Sequence, residues 1–344
     1  MNLKKIIKQV LQFLLFLATG ILLLWVAFRN VRFDELAAGL KEADYSFVLL
    51  SVTFSFMAFL SRAKRWNLLI RPMGYRPAFK NTFNAMMTGY FANLALPRIG
   101  EITRCVALGK KDNIPVDRLI GTVVAERAVD MISLVIIMIF MIFTSGDKIN
   151  QFLRETILIP FRDKVFSPFG LSWLIWVALL LTAAATLFFV IKYRKNLRKI
   201  PLISKIFDLS KGIIAGLKSI TTIKRKWEFI LHTIFIWVCY IFMTWVVVFA
   251  IDNTAHLNLG DAIFLLVIGG FAMVAPVPSG IGAFHYIISR GLAFVQGVNL
   301  EDGALYAILT HESQMILIII VGTIATYMIF RKNKGADNEI SQIK

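Results

Sequence analysis

The chain has 344 residues, of which 58% are hydrophobic and only 17% charged, where a soluble globule of this size carries about a quarter charged; the composition argues against a soluble protein and for an integral membrane protein. Its 38 Lys+Arg against 21 Asp+Glu give a formal net charge of +17, which in a membrane protein belongs to cytoplasmic loops and anionic headgroups, so membrane lipids rather than nucleic acid are the expected partners. Two cysteines, Cys105 and Cys239, supply neither a disulfide framework nor a thiolate metal site.

A helix needs about 20 residues to cross roughly 30 Å of hydrocarbon. Behind Lys4, Lys5 and Lys8, an apolar run continues to Phe28 with no small-residue cleavage site after it, which predicts a retained first span over about 9–28. Further spans are expected over about 45–61, 120–144, 170–191, 229–251 and 304–330. Two other apolar stretches are interrupted, about 81–97 by Pro97 and Arg98, and about 262–297 by Pro276, Pro278, Gly280 and Gly282. Such breaks predict hairpins that enter the membrane and turn back.

Excess Lys and Arg assigns a loop to the cytoplasmic side. The N-terminus, the loop carrying Arg62, Lys64, Arg65, Arg71, Arg76 and Lys80, residues 110–118, the basic loop 192–226 and the end of the chain from Arg331 all read as inside. The acidic loops at 29–44, at Asp252 and Asp261, and at Glu301 and Asp302 read as outside, as does the mixed loop 145–169. The basic loop 192–226 interleaves apolar residues such as Ile203, Ile206 and Ile213, a pattern that suits an amphipathic helix on an anionic leaflet.

The expected fold is therefore an all-α integral membrane protein of about six transmembrane helices plus two oppositely oriented re-entrant hairpins, in an inverted-topology repeat. Residues 1–145 form the first repeat, with its hairpin at about 81–109; 146–169 form an external loop; 170–332 form the second repeat, with its hairpin at about 262–297; and 333–344 form a cytoplasmic tail. Gly121, Ala125 and Asp130 match Gly303, Ala307 and Glu312 at a constant offset, in weak support of a repeat. Inverted repeats around broken helices place a substrate site near the membrane midplane, where the halves meet.

Candidate site residues cluster at the breaks and at charges inside the spans. In the first hairpin, Asn93, Pro97, Arg98, Glu101 and Arg104 combine exposed backbone with guanidiniums able to grip a phosphate; the same arginines also fit an interfacial loop with snorkelling side chains. Glu126 and Asp130 share a helical face with Arg127 beside it. Charges this deep need a partner or a cavity, which makes a functional role the default reading; a structural ion pair locking the third span to the first hairpin is the alternative. Arg62 and Arg65 are candidates for a headgroup entrance, while Trp66 reads as a member of the aromatic belt. In the second hairpin, Ser279, Gly280, Gly282 and His285 would aim backbone N–H groups at an anion. His311 and Glu312 form a titratable pair; with Met315 where a metalloprotease helix needs a second histidine, metal hydrolysis is not expected.

Arg65-Trp66, the stretch Gly89 to Glu101 with Arg104, the run Gly121-Thr122-Val123-Val124-Ala125-Glu126-Arg127 with Asp130, and the turn Pro278-Ser279-Gly280-Ile281-Gly282 together resemble the lysylphosphatidylglycerol synthase transmembrane, or flippase-like, family over nearly the whole chain. Its members are regarded as lipid translocators, best described for the membrane domain of the bacterial multiple peptide resistance factor. Two features depart from that factor. The sequence stops about a dozen residues beyond its last span, with no soluble aminoacyl transferase domain, so synthesis of a lysyl lipid is not expected. His285 stands where many relatives have an acidic residue, which argues against a site built for a cationic headgroup.

The resemblance and the charge pattern imply a translocator in a bacterial inner membrane, with both termini cytoplasmic, moving a phospholipid or lipid-linked carrier with a phosphate-bearing headgroup. No enzymatic activity, cofactor or metal is expected, and no P-loop for ATP occurs. A transferase acting on a lipid-linked substrate, and a non-transporting scaffold of a lipid-modifying enzyme partner, are the alternatives.

Overall fold

The computed structural model describes residues 18–144, 211–273 and 277–331, together with isolated positions between 151 and 192. The expectations placed on Lys4, Lys5 and Lys8, on the external loop and the span at 170–191, on the basic loop before 211, on Pro276 and on the tail 333–344 lie outside these residues.

Among the described residues every regular element is helical. Helices α1 (Ala18–Phe28) and α2 (Phe33–Glu42) precede the long α3 (Tyr45–Ile70), the pair α4 (Phe79–Ala95) and α5 (Gly100–Asp112), and the long α6 (Val116–Thr144). A helical stretch over 211–218 leads to α7 (Lys226–Val246) and a 3₁₀ turn, then to the pair α8 (Leu259–Ala272) and α9 (Ala283–Gln296), and finally to α10 (Leu300–Phe330). The order of long helix, short pair and long helix thus occurs twice.

Among the described residues three segments are long and apolar enough to cross a membrane: Tyr45–Met73, Lys226–Ala250 and Leu300–Phe330, of 29, 25 and 31 residues. At about 1.5 Å per residue each exceeds a hydrocarbon core of about 30 Å. The paired helices do not, since the longest of them, α4, has 17 residues. Long helices also turn large apolar side chains outward, with Met131, Ile136 and Phe143 on α6 and Ile316, Ile320 and Ile324 on α10 exposed. Apolar residues on the outer face are what a lipid solvent requires.

Polar side chains fix where several helices start. The Asp44 carboxylate accepts from the Ser46 amide at 2.9 Å ahead of α3. Asn258 and Asp261 form a capping box on α8, and Asn299 accepts from the Asp302 amide at 2.7 Å ahead of α10. Each satisfies amide donors that the first turn of a helix leaves unpaired.

The two interrupted stretches are the two helix pairs. In the first, the Gly100 amide donates to Asn93 Oδ1 at 2.7 Å, closing the turn around Pro97 and Arg98. Gly89 and Gly100 let the backbones of α4 and α5 approach so closely that a Cβ on either would strike the other's carbonyl oxygen. In the second pair, Ser279, Gly280 and Gly282 take φ of 49°, 77° and 81°, the left-handed region that favours glycine. The two turns meet, with Ser279 Oγ donating to the Asn93 carbonyl at 3.5 Å.

Two expectations change. The second span does not end near residue 61: α3 continues to Ile70, carrying Arg62 and Arg65 inside a helix rather than in a loop. The helix can continue because carboxylates of α6 neutralise both arginines. The end of the basic loop is not laid wholly on lipid either, for residues 211–218 pack on α6, with Gly216 against Gly121.

Gly100→Ala is expected to lower the thermal midpoint of the detergent-solubilised protein, as overpacking costs about 1–3 kcal/mol. Gly20→Ala, which meets no atom within 4 Å, should leave the midpoint unchanged or raise it. Equal midpoints for the two variants would contradict the close approach of α4 and α5.

Candidate functional site

Arg62, Arg65 and Trp66 lie on one face of α3 because residues three and four apart in a helix are neighbours. Glu126 and Asp130 do the same on α6, and α5 brings Arg104 from the side. Arg62 Nη2 lies 2.7 Å from Glu126 Oε1 and 3.0 Å from Asp130 Oδ2. Arg65 Nη2 reaches Asp130 Oδ1 at 2.5 Å and Glu126 Oε1 at 3.4 Å. Arg104 Nη2 sits 2.9 Å from Glu126 Oε2, an ion contact without hydrogen-bond alignment.

Glu126 and Arg65 are wholly buried, and Arg104 is 2% exposed. The three buried guanidiniums face two carboxylates, which leaves one positive charge in excess. Neutral groups complete the cluster. Arg62 Nη1 donates to the Tyr240 hydroxyl at 3.1 Å, and Arg65 Nη1 to Thr233 Oγ1 at 3.4 Å. The Trp66 ring lies under Arg104, 4.6 Å from Cζ to centroid, with Nε1 donating to Thr122 Oγ1 at 2.9 Å. Donors remain unspent: Nε of Arg62, Arg65 and Arg104, and Nη1 of Arg104, have no hydrogen-bond partner. Buried guanidinium N–H groups without acceptors suit a site that takes an anionic oxygen.

Arg62 and Arg65 are therefore interior groups rather than an entrance, and Trp66 is a buried platform rather than part of an aromatic belt. Arg127 sits at the open edge of the cluster; it is 43% exposed, pairs with Glu101 at 3.1 Å, tying α6 to α5, and reaches Asp130 Oδ2 at 3.9 Å. Arg98 is exposed at the first turn, with φ 61°. Asn93 works through both ends, its side chain closing the first turn and its carbonyl meeting the second.

The second group is separate from the first. His311, on α10, places Nε2 2.9 Å from the Ser279 carbonyl and Nδ1 3.1 Å from Glu312 Oε1. His285, on α9, places Nε2 3.3 Å from the same Glu312 oxygen. Both rings are buried among aromatics, His285 against Phe28 and His311 stacked on Phe284. The Glu312 side chain is 42% exposed, so the group opens on one side. Thr122, Thr233 and Tyr240 were missed by sequence reasoning. Thr122 alone had a signal, its place one turn before Glu126.

The chain belongs to the lysylphosphatidylglycerol synthase TM region family, whose model matches residues 9–322. It is similar to the UPF0104 membrane protein MJ1595 of Methanocaldococcus jannaschii, 29% identical over 119 residues, 34% of each chain. The matched stretch thus spans about a third of the length of that relative. No solved structure matches. Family and apolar helices together make it a multi-pass helical membrane protein, of a family linked to lipid-related membrane function.

Glu126→Gln leaves three buried guanidiniums facing one carboxylate, and breaking such a cluster costs about 3–5 kcal/mol. A large fall in thermal midpoint and in monodisperse yield is expected. Arg127→Gln removes a half-exposed pair worth under about 1 kcal/mol and should shift the midpoint little. Similar small shifts for both would show that Glu126 does not hold the helices together.

Proposed function

We propose that the protein is a lipid translocator that carries a phosphate-bearing headgroup between leaflets through a polar groove between the two helix pairs. The observation that carries this reading is the meeting of the two turns, Ser279 Oγ to the Asn93 carbonyl at 3.5 Å, with charged or titratable groups in each half. Broken backbone at membrane depth is tolerated only where it is buried in protein or lines a wet cavity, and turns whose Ser279–Asn93 hydrogen bond is as long as 3.5 Å can part.

On this reading the pairs are re-entrant, the first from the cytoplasmic side and the second from the outside, in an inner membrane with both termini cytoplasmic. Arg98 at the first turn and the half-exposed Arg127 would meet the lipid phosphate first. The spare N–H groups of Arg104 would donate to its oxygens as the headgroup moves inward, with Glu101 releasing Arg127 to take part. Arg62, Arg65, Glu126 and Asp130 hold the frame and set the positive potential. Gly280 and Gly282 give the second turn its close backbone approach, while acyl chains stay in the bilayer along the apolar outer faces. No chemical bond is made or broken, so the protein acts as a carrier rather than an enzyme.

The test uses the full chain in proteoliposomes, with Cys105 and Cys239 replaced by serine and Asn93→Cys paired with Ser279→Cys. Accessibility of fluorescent phospholipids and polyprenyl phosphates to an external quencher reports flipping. The reduced protein should flip at least one of these lipids faster than protein-free vesicles, and the oxidised, cross-linked form should not. The proposal fails if reduced and cross-linked proteins flip at the same rate, or if the wild type never exceeds empty vesicles.

A further inference from the structure

The geometry points to a binding site for one divalent transition-metal ion of the zinc class, formed by His285 Nε2, His311 Nδ1 and a Glu312 carboxylate oxygen. One ligand atom from each of the three residues lies within 4.8 Å of the other two. Glu312 Oε1 is 3.1 Å from the His311 nitrogen and 3.3 Å from that of His285. In a tetrahedral site with metal–ligand bonds of about 2.0–2.2 Å, neighbouring ligand atoms stand about 3.3 Å apart. Two of the three edges already have about that length, and the third lies within 4.8 Å.

Protonation supplies an independent reason. The Ser279 carbonyl only accepts, so His311 Nε2, 2.9 Å away, must carry the proton and donate. In a neutral ring Nδ1 then bears a lone pair, and it faces a carboxylate oxygen at 3.1 Å. Two lone pairs at this distance repel unless a cation lies between them. An imidazole that donates one N–H to a backbone carbonyl and offers the other nitrogen to a metal is the usual arrangement of a ligating histidine. His285 adds to this: it is 2% exposed, and its Nε2 turns to the same carboxylate oxygen.

Two imidazoles and one carboxylate select zinc, cobalt, nickel or copper over magnesium and calcium, which prefer all-oxygen sites. The exposed side of Glu312 leaves the fourth position to solvent. Such an ion would bind α9 to α10 and, through the Ser279 carbonyl, pin the second turn in the position where it meets Asn93. The inference does not depend on lipid transport.

The experiment uses the full chain in detergent, purified without a polyhistidine tag and stripped by chelator. Zinc binding is measured by equilibrium dialysis with elemental analysis, and cobalt by its visible absorption. One ion per chain is expected, with the strong visible bands of a four-coordinate cobalt site and a rise in thermal midpoint on zinc addition. His285→Ala and Glu312→Gln should each weaken zinc binding at least roughly tenfold, whereas His232→Ala with His256→Ala should not. Glu312→Gln preserves side-chain shape, and the cobalt spectrum of the wild type needs no variant at all. Sub-stoichiometric zinc with no such bands, affinity unchanged in both ligand variants, or nitrogen resonances showing His311 doubly protonated in the presence of zinc would each overturn the site, the last by giving its place to a proton.

Discussion

Glu126 is the carboxylate on which the first half of the molecule depends. It is wholly buried, and guanidiniums from α3 and α5 converge on it while Asp130, one turn on, shares the same arginines. A lone charge at that depth is so unfavourable that the partners must arrive together. The requirement fixes the rotation of α3, since Arg62 and Arg65 must face α6, and it fixes the tilt of the α4/α5 pair, since Arg104 must reach over Trp66. Tight backbone packing at Gly89 and Gly100 carries the constraint from α5 to α4.

The second half repeats the arrangement with different chemistry. In each half the second helix of the pair presents a basic side chain to an acidic one on the long helix that follows: Arg104 to Glu126, and His285 to Glu312. A guanidinium keeps its charge at every accessible pH, whereas an imidazole binds a proton or a metal only when one is available. The first attachment is therefore permanent and the second conditional.

Much of this architecture was legible in the sequence and some was not, for a physical reason. Apolar runs, Pro97, Pro278 and the glycines beside it marked the long helices and the two breaks. The i,i+4 spacing of Glu126 and Asp130 marked a charged face. The length of α3 was hidden, because Arg62 and Arg65 end a span only if nothing neutralises them, and the neutralising residues lie more than 60 positions away. The burial of Trp66 is hidden for the same reason, as it depends on Arg104 and Thr122. The pairing of His285 with Glu312 is out of reach of the sequence, since the turn at 297–299 must first fold α10 back along α9.

These unequal attachments decide where the molecule can yield. The first pair is tied to α6 by Arg104 to Glu126 and by Arg127 to Glu101, and its helices are locked by backbone contact, so separating it would strand buried charge. The second pair is held to α10 at its turn by neutral or titratable contacts, His311 to the Ser279 carbonyl and His285 to Glu312. A hydrogen bond as long as 3.5 Å joins its turn to the first, from Ser279 to the Asn93 carbonyl. Three of its turn residues already occupy left-handed backbone conformations, where a non-glycine residue such as Ser279 is strained. Any opening between the pairs therefore follows the path of least electrostatic cost: the Ser279 turn leaves Asn93 while the arginine–carboxylate frame stays intact, and whatever occupies the His285–His311–Glu312 group governs how readily it leaves.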